Sequence, residues 1–214
     1  MRIIKGNKKI DLTEYELKTV LSKYSKTMLD IGTGDGRYVY KNAQNNRENL
    51  YIGLDPSEKS LEEYSKKAVK SKTDNVLFVV GSFEIFPKEL TIIKADEISI
   101  ILPWGSLLQA VANPTSEIAA RLKNLIKPGG TLKLLFGYDS SLEPSETKRL
   151  NLFPITAQHV EKNIIPVFQQ HGFSLGNFST LCTDKLKEIE STWGKKIATR
   201  QERPLFMLIF LRGN

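Results

Sequence analysis

The stretch that decides the fold of this chain is Leu29-Asp30-Ile31-Gly32-Thr33-Gly34-Asp35-Gly36. A short strand of the buried type is predicted over residues 27–31, and a helix is predicted to begin after Gly36. Glycines at such a turn permit unusual backbone angles and let a ligand approach the main chain closely. The spacing is G-x-G-x-G, whereas the dinucleotide-binding fingerprint is G-x-G-x-x-G. The stretch therefore predicts a ligand-binding turn, and its spacing argues against a nicotinamide dehydrogenase.

Strands and helices alternate along the rest of the chain. Further strands are predicted at residues 50–54, 76–80, 97–102, 130–136, 173–181 and 204–211. Helical patterns fall between them, notably at residues 58–70, 116–126 and 157–171. Such alternation predicts an α/β fold, in which a mainly parallel, seven-stranded sheet carries helices on both faces. The last two strands are joined by a long connection and suit an antiparallel pair at the edge of the sheet.

Residues 1–12 are interpreted as a β-hairpin in addition to this sheet. Residues 2–5 and 8–11 are its strands, and Gly6-Asn7 suits the turn between them. Thr13 then caps a helix, and Glu16, three residues further on, completes a capping box.

Length and composition favour a single domain over residues 1–214. The chain is 40% hydrophobic, which is enough for one sizeable core. Residues 137–153 are polar and are interpreted as an insertion or mobile loop. The longest apolar run, residues 205–211, is too short to cross a bilayer as a helix, and the first residues lack the apolar stretch of a signal peptide. We therefore expect a cytoplasmic protein without a membrane partner.

Cys182 is the only cysteine, which excludes an internal disulfide, a cysteine-based zinc site and a Cys-X-X-Cys redox pair. His159 and His171 are poor candidates for a metal centre, so no metal is expected. The net charge is +7 and the isoelectric point is about 9.3. Such a balance favours a polyanionic partner, because basic groups release counterions from a phosphate backbone. Solubility is the alternative explanation of the charge.

The G-x-G-x-G spacing, with an acid two residues before it, resembles the first motif of class I methyltransferases, whose cofactor is S-adenosylmethionine. Asp30 is suited to receive the ammonium group of that cofactor, directly or through water. Asp55 ends the second strand, before Pro56, and can accept hydrogen bonds from both ribose hydroxyls; as a lone acid it could equally cap a helix. Ser82 and Phe83 follow the third strand and are expected to flank the adenine.

The end of the fourth strand carries Leu102-Pro103-Trp104, and strand ends face the ligand crevice in an open α/β sheet. Many amino-methylating enzymes have an Asn/Asp-Pro-Pro-aromatic motif here, whose aromatic ring stacks on the target base. Leu102 stands at the leading position of this motif and has no side-chain hydrogen-bond acceptor. Such an acceptor orients an exocyclic amine, whereas a ring nitrogen with a free lone pair needs it less. Trp193 lies in a polar, basic stretch and is a second candidate for base stacking. The alternatives are a buried cap on the sheet for Trp104 and packing over the core for Trp193.

At this level of detail the sequence resembles the 16S rRNA (adenine 1408-N1) methyltransferases, the family that confers kanamycin and apramycin resistance. The resemblance is carried by the N-terminal hairpin and by residues 30–37, 51–56, 99–108 and 191–193. It spans nearly the whole chain and is weakest over residues 137–153. It implies a class I, Rossmann-like methyltransferase fold, S-adenosylmethionine as the cofactor, and adenine 1408 of the 30S ribosomal subunit as the target.

The resemblance also implies roles for individual residues. Trp104 and Trp193 would sandwich the flipped adenine. The Pro103 carbonyl would receive its amino group, and Ser191 would lie near the sulfonium. The residues expected to bind the cofactor are Asp30, Gly32, Thr33, Gly34, Asp35, Asp55, Pro56, Ser82, Phe83, Glu84, Leu102 and Ser106. Those expected to contact rRNA are Lys66, Lys67, Lys70, Arg149 and Arg203.

The helical repeat places the three lysines in one exposed quadrant, opposite an apolar side formed by Leu61, Tyr64 and Ala68. A charged face opposite an apolar one is also normal for any surface helix. Two interpretations of these lysines therefore remain: they dock on RNA, or they simply form a solvated surface.

The chemistry expected is direct in-line transfer, in which the adenine N1 lone pair attacks the methyl group. No general acid or base is predicted, because neutral adenine N1 carries no proton. Two alternatives remain: a class I methyltransferase acting on another RNA or a small molecule, and a non-catalytic S-adenosylmethionine-binding protein associated with the ribosome. We expect a monomer that binds 16S rRNA within the assembled 30S subunit and does not bind DNA.

Overall fold

A computed structural model describes residues 1–139, 141, 144–152, 154–198 and 203–214, and for Trp193 it describes the backbone alone. The strands are β1 (Arg2–Lys5), β2 (Lys8–Asp11), β3 (Lys26–Ile31), β4 (Asn49–Asp55), β5 (Val76–Val80), β6 (Ala95–Ile101), β7 (Ile126–Phe136), β8 (Phe173–Leu181) and β9 (Leu205–Arg212). The helices are α1 (Glu14–Leu21), α2 (Arg37–Asn45), α3 (Glu58–Lys70), α4 (Gly105–Ala112), α5 (Ser116–Leu125), α6 (Pro144–Arg149), α7 (Ala157–His159), α8 (Ile165–Gln170) and α9 (Thr192–Ile197). Within the described residues the chain forms two compact units, Met1–Ser99 with Glu190–Thr192, and Ile100–Ile189 with Trp193–Asn214.

The first unit is built on parallel strands. β4 lies between β3 and β5, and β6 pairs with the other edge of β3. Leu29, Ile52 and Leu54 are at most 1% exposed, as expected for parallel strands that are covered on both faces. The predicted α/β organisation with a mainly parallel sheet is confirmed.

The number of strands needs a correction, because the sheet has nine strands among the described residues and not the predicted seven. The hairpin of β1 and β2 forms as predicted, but it belongs to the sheet: Ile3 and Ile4 pair antiparallel with Val79 and Phe78 of β5. An isolated two-stranded hairpin is marginally stable in water. Joining the sheet leaves Ile3 and Ile4 only 6% and 4% exposed, so burial of apolar surface explains the extension.

Helix α1 begins where the sequence predicts it. The Thr13 amide donates to a carboxylate oxygen of Glu16 at 2.8 Å, and the Glu16 amide donates to the Thr13 hydroxyl at 3.3 Å. These two hydrogen bonds confirm the predicted capping box.

The second unit contains the predicted antiparallel pair near the end of the chain. β9 lies between β7 and β8 and is antiparallel to both. The rings of Phe168, Phe173 and Phe210 pack together with centroids 4.9–6.2 Å apart. The helix predicted at residues 157–171 is interrupted by a π-helical turn, Val160–Ile164, before α8. Pro166 lacks an amide hydrogen, so α-helical hydrogen bonding cannot continue through it.

Parallel strands end at the same edge of a sheet, and this fixes where polar loops can meet in the first unit. Residues 32–36 follow β3, residues 56–57 follow β4, and residues 81–87 follow β5. The three segments that carry most of the predicted cofactor residues therefore emerge at one edge.

Replacement of Ile4 by alanine tests the contribution of the hairpin to the core. Because this side chain is 4% exposed, we expect the free energy of unfolding to fall by about 2–5 kcal/mol, measured by urea denaturation. Ile85→Ala is the matched control, since Ile85 is 83% exposed and its truncation should change stability by less than about 0.5 kcal/mol. Equal losses at the two positions would contradict burial of the hairpin.

Candidate cofactor and target site

The glycine-rich turn is held tightly against β4 by its own backbone. The amides of Gly32 and Thr33 donate to the carbonyl oxygen of Leu54 at 2.8 and 3.0 Å. Gly36 has φ +79°, and a Cβ there would lie 2.4 Å from the Phe78 ring. A side chain at Gly36 is therefore disfavoured by the backbone angle and excluded by the Phe78 ring.

The space above the turn lies at Gly34, beside the carboxylate of Asp55. A Cβ on Gly34 would meet no atom within 4 Å. The Gly34 amide donates to Asp55 Oδ2 at 2.9 Å, and the Ser57 amide donates to Asp55 Oδ1 at 2.9 Å. Each carboxylate oxygen has two lone-pair sites, so both oxygens retain capacity to accept a hydrogen bond from a ribose hydroxyl.

The surroundings of Asp55 also decide between its two predicted roles. The side chain that caps α3 is Ser57, whose hydroxyl accepts from the Ser60 amide at 3.2 Å, so a helix-capping role for Asp55 is wrong. Burial raises the pKa of the Asp55 carboxyl, and the backbone amides of Ser57 and Gly34 oppose that rise by bonding to its charged form. A partly buried acceptor that retains bonding capacity suits a neutral hydroxyl ligand.

Asp30 lines a cavity of about 190 Å³ between α2 and the sheet. The cavity is lined by Met28, Asp30, Tyr38, Val39, Asn42, Tyr51, Glu97 and Ser99. Asp30 is 3% exposed and accepts a hydrogen bond from the Ser99 hydroxyl at 2.6 Å. Burial, and after it the charges of Asp30 and Glu97, raises the pKa of Tyr38. A polar cavity of this size has room for ordered water, and contact of Asp30 with an ammonium group, direct or through water, stays a prediction.

The segment after β5 forms a tight turn. The Gly81 amide donates to the Asp55 carbonyl at 3.1 Å, and the Ile85 amide donates to the Ser82 hydroxyl at 3.0 Å. Phe83 is 5% exposed, whereas Ile85 is 83% exposed. The turn therefore lies beside the end of β4, as an adenine neighbour requires, and Ile85 is an exposed apolar residue of this turn that the sequence analysis missed.

In the second unit, the chain after β6 takes an unusual conformation. Leu102 has φ +50°, although it is neither glycine nor asparagine, and its amide donates to the Leu135 carbonyl at 2.7 Å. Such backbone angles cost free energy and cluster at functional sites. Trp104 follows and is 44% exposed, so the alternative that it is a buried cap on the sheet is wrong. The indole at the start of α4 is therefore partly exposed, and its stacking on a base stays a prediction.

The two predicted RNA-binding arginines of this unit differ in exposure. Arg149 is exposed, and it donates to both carboxylate oxygens of Glu146 at 3.0 and 2.6 Å. A Cβ on Gly105 would lie 3.8 Å from Arg149 Nη2, so Arg149 lies beside the backbone that follows Trp104. Arg203 is only 7% exposed. Arg149 is therefore the more accessible of the two to a phosphate.

Arg37 connects several predicted elements of the first unit. Its guanidinium donates to Glu190 Oε2 at 3.1 and 2.8 Å and to the Tyr64 hydroxyl at 2.8 Å, and its amide donates to Asp35 at 3.1 Å. The hydrogen bond to Glu190 is the main cause that raises the pKa of Arg37. Glu190 precedes Ser191, so the segment with this predicted site residue is fastened to the helix that follows the glycine-rich turn.

Sequence reasoning missed this connection, although Arg37 belongs to the stretch at residues 30–37. The partner Glu190 lies 153 positions away, and no local spacing signals such a pair. The side chain of Trp193, which was predicted to stack on the target base, lies outside the described part of the chain.

The three predicted docking lysines lie on the exposed face of α3, as their spacing indicated. Lys66 and Lys67 form ion pairs with Glu62 and Glu63 at 2.9 and 2.7 Å. The Lys67 ammonium also lies 4.0 Å from the centroid of the Tyr64 ring. The opposite face is buried. The predicted amphipathic arrangement is confirmed, and contact with RNA stays a prediction.

The described residues contain no group of three or more His, Cys, Asp or Glu side chains that could hold a metal ion. Within the same part of the chain, no helix has the length and apolar character needed to span a bilayer.

A glycine-rich turn of this build, in a sheet of this topology with an acid ending the next strand, is the cofactor site of the class I S-adenosylmethionine-dependent methyltransferases. The residues present fit that cofactor, because the space over Gly34 adjoins the acceptor Asp55 and no side chain among the described residues fills it. The fold and this turn define the class to which the protein belongs.

Comparison with known proteins gives the particular family. The family model described as NpmA, 16S rRNA (adenine(1408)-N(1))-methyltransferase, matches residues 2–209. A 16S rRNA (adenine(1408)-N(1))-methyltransferase of Escherichia coli is 34% identical over 211 residues, which cover 96% of each chain. The chain belongs to the 16S rRNA (adenine(1408)-N(1))-methyltransferase family.

Solved structures agree with this assignment. A 30S ribosomal A1408 methyltransferase from an uncultured bacterium is 38% identical, with a TM-score of 0.76, and the match covers 99% of this chain and 100% of that one. The aminoglycoside resistance methyltransferase NpmB1 is 34% identical, with a TM-score of 0.78, and the match covers 99% of this chain and 98% of that one. The predicted family, class I fold, enzyme class and S-adenosylmethionine cofactor are confirmed.

The link between Arg37 and Glu190 is testable by a double-mutant cycle on stability. Because the two side chains are 24% and 43% exposed, we expect a coupling free energy of about 0.5–1 kcal/mol between Arg37→Ala and Glu190→Ala, measured by urea unfolding. The control cycle uses Glu14 and Lys18, which are 51% and 61% exposed and should couple less strongly. Additive effects of the Arg37 and Glu190 substitutions would show that the pair does not hold the segment.

Proposed function

We propose that this protein transfers a methyl group from S-adenosylmethionine to N1 of adenine 1408 in 16S rRNA and thereby gives aminoglycoside resistance. The observation that carries the proposal is the family match over residues 2–209, because a match of that extent includes both the cofactor turn and the candidate target segment. We further propose that the substrate is the assembled 30S subunit and that the enzyme acts as a monomer in the cytoplasm.

The cofactor would be held by the turn and by the ends of the neighbouring strands. The close backbone surface would be supplied by Gly32, Thr33, Gly34 and Asp35. The ribose site would be formed by Asp55 and Pro56, and the adenine side by Ser82, Phe83 and Glu84. Asp30 would contact the ammonium group. The two backbone amides at Asp55 fix its carboxylate, so the acceptor is oriented before the ligand arrives. Leu102 and Ser106 are proposed as additional contacts from the segment that carries Trp104.

S-adenosylmethionine supplies a methyl group on a positively charged sulfur, and the adenine N1 lone pair forms the new N–C bond as the S–C bond breaks. The pair of electrons in the broken bond stays on sulfur, and the base becomes a cation. The protein therefore needs no general base, since neutral N1 has no proton to remove. Its contribution is to align the reacting atoms, which is the larger effect.

The side chains proposed to hold the adenine act through stacking and a backbone acceptor. An indole face stabilises a developing cation by about 0.5–2 kcal/mol, a role proposed for Trp104 and, from the family resemblance, Trp193. The Pro103 carbonyl would accept from the adenine amino group, and Ser191 would lie close to the sulfonium. A base inside a helix must be flipped out to reach such a site.

Contact with the RNA backbone is proposed for Lys66, Lys67 and Lys70, with Arg149 and Arg203 nearer to the flipped nucleotide. Exposed cations on one face of α3 fit a phosphate backbone, because each contact releases condensed counterions. A methyltransferase specific for small molecules would gain nothing from this face, and a non-catalytic ribosome binder would not need a cofactor turn.

Incubation of the purified protein with radiolabelled S-adenosylmethionine and intact 30S subunits tests the proposal. We expect label in 16S rRNA and a new reverse-transcription stop beside adenine 1408, because N1 methylation blocks Watson–Crick pairing. Naked 16S rRNA run in parallel tests the proposed requirement for the assembled subunit. Label without the stop would assign another nucleotide, and no label in either substrate would overturn the proposed activity.

Trp104→Ala tests the stacking role. We expect turnover to fall by about 5- to 150-fold, since one base–aromatic stack contributes about 1–3 kcal/mol, while the dissociation constant for S-adenosylmethionine stays within about twofold of wild type by calorimetry. Trp104→Phe is the control and should retain much of the activity because it keeps an aromatic face. Wild-type turnover in the alanine variant would remove Trp104 from the site.

A further inference from the structure

The turn of the N-terminal hairpin lies directly against α3. The Gly6 amide donates to the Ser65 hydroxyl at 2.8 Å, and that hydroxyl donates to the Ile4 carbonyl at 2.8 Å. Ser65 is 1% exposed, so this contact is a buried part of the fold. A Cβ on Gly6 would lie 3.6 Å from Val69, which puts the turn over residues 65 and 69 of the helix. Lys66 and Lys70 directly follow Ser65 and Val69 in the sequence of the helix.

Both strands of the hairpin also contact Glu58, the first residue of α3. Arg2 is 3.6 Å from a carboxylate oxygen of Glu58, and Lys9 forms an ion pair with the same residue. Lys9 and Arg2 lower the pKa of Glu58, with Lys9 the larger cause. The hairpin therefore runs along α3, with opposite charges together at one end.

The turn end of the hairpin carries further positive charge. Lys5 and Lys8 are exposed and directly opposite each other in the hairpin register. In the part of the chain that the structure describes, neither forms an ion pair, and the same is true of Lys70. Like charges directly opposite each other on paired strands are destabilising. Folding alone therefore does not explain why two lysines occupy this register.

The charge on α3 itself is small. Four lysines and three glutamates lie on the helix, a net charge of +1, and Lys66 and Lys67 are each ion-paired to a glutamate one turn earlier. The two strands of the hairpin carry four basic residues and one acid. The turn thus supplies positive charge that the helix alone lacks.

From these contacts we infer that Lys5 and Lys8 form one continuous phosphate-binding surface with Lys66 and Lys70, and that this hairpin–α3 surface docks on the backbone of the rRNA substrate. The inference rests on the proposed function and extends it to a segment for which no role in RNA binding was assigned. A phosphate backbone relieves the repulsion between the two opposed lysines and releases counterions at the same time. The buried bonds of Ser65 hold the turn on the helix, so the surface is formed before the RNA arrives.

The test compares the double variant Lys5→Gln/Lys8→Gln with Lys18→Gln/Lys23→Gln, which removes the same net charge at and just after α1. Affinity for 30S subunits is measured by filter binding at several salt concentrations. Each lost phosphate contact should weaken binding about fivefold at 0.15 M salt and should reduce the slope of log affinity against log salt by about 0.7–0.9. The hairpin variant should lose both contacts, and the α1 variant should stay within twofold of wild type. Lys5→Arg/Lys8→Arg should retain the affinity and the slope.

Measurements of stability, turnover and cofactor affinity separate docking from folding and from catalysis. The midpoint of thermal unfolding of Lys5→Gln/Lys8→Gln should equal or exceed that of wild type, because the opposed charges are removed. Its turnover at saturating 30S and its affinity for S-adenosylmethionine should be unchanged. Wild-type affinity and salt slope in this variant, with adenine 1408 still methylated by the wild type, would overturn the docking surface alone. Absence of methylation by the wild type would overturn the proposed function.

Discussion

The close approach of the glycine-rich turn to β4 is the constraint on which the rest of the site depends. Two amides of the turn bond to the Leu54 carbonyl, and the Phe78 ring fills the space where a side chain at Gly36 would lie. Because the turn is fixed to β4, the Gly34 amide reaches the carboxylate that ends the same strand. The surface proposed to bind the cofactor is thus made of backbone and of one acid, whose carboxylate is oriented by two backbone amides.

The same turn also sets the position of α2 and of its first side chain. Arg37 begins α2 immediately after the last glycine, and its guanidinium joins Tyr64 of α3 to Glu190, next to Ser191. Within the first unit, Arg37 therefore links three parts: the glycine-rich turn, the helix proposed to dock on RNA, and the segment that contains Ser191. Lys67 lies over the Tyr64 ring, so the face proposed to meet RNA is one contact away from this link. Because the turn is short, these few charged and polar side chains lie close to one another.

Much of the fold could be predicted from hydrophobic periodicity and from turn residues, because both signals come from residues that are close in sequence. The capping box at Thr13 and the hairpin turn at Gly6 depend on residues close in sequence, and the alternation of strands with helices is likewise a local pattern. The strand count was wrong because hydrophobic pattern shows that β1 is a strand but not which strand it pairs with. The continuous helix expected at residues 157–171 was interrupted because the proline removes one hydrogen bond, and the tertiary packing selects how the chain accommodates it.

The sequence by itself determined the class of the protein, since glycine spacing and an acid at a strand end report directly on backbone angles and hydrogen-bond acceptors. It also determined which face of α3 is charged, because helical periodicity is a local property. The tertiary structure decided the pairing of Arg37 with Glu190 and the position of Lys5 and Lys8 beside the helix proposed to dock on RNA. These depend on which distant segments meet, and that is set by the burial of apolar surface in the whole sheet rather than by any local spacing.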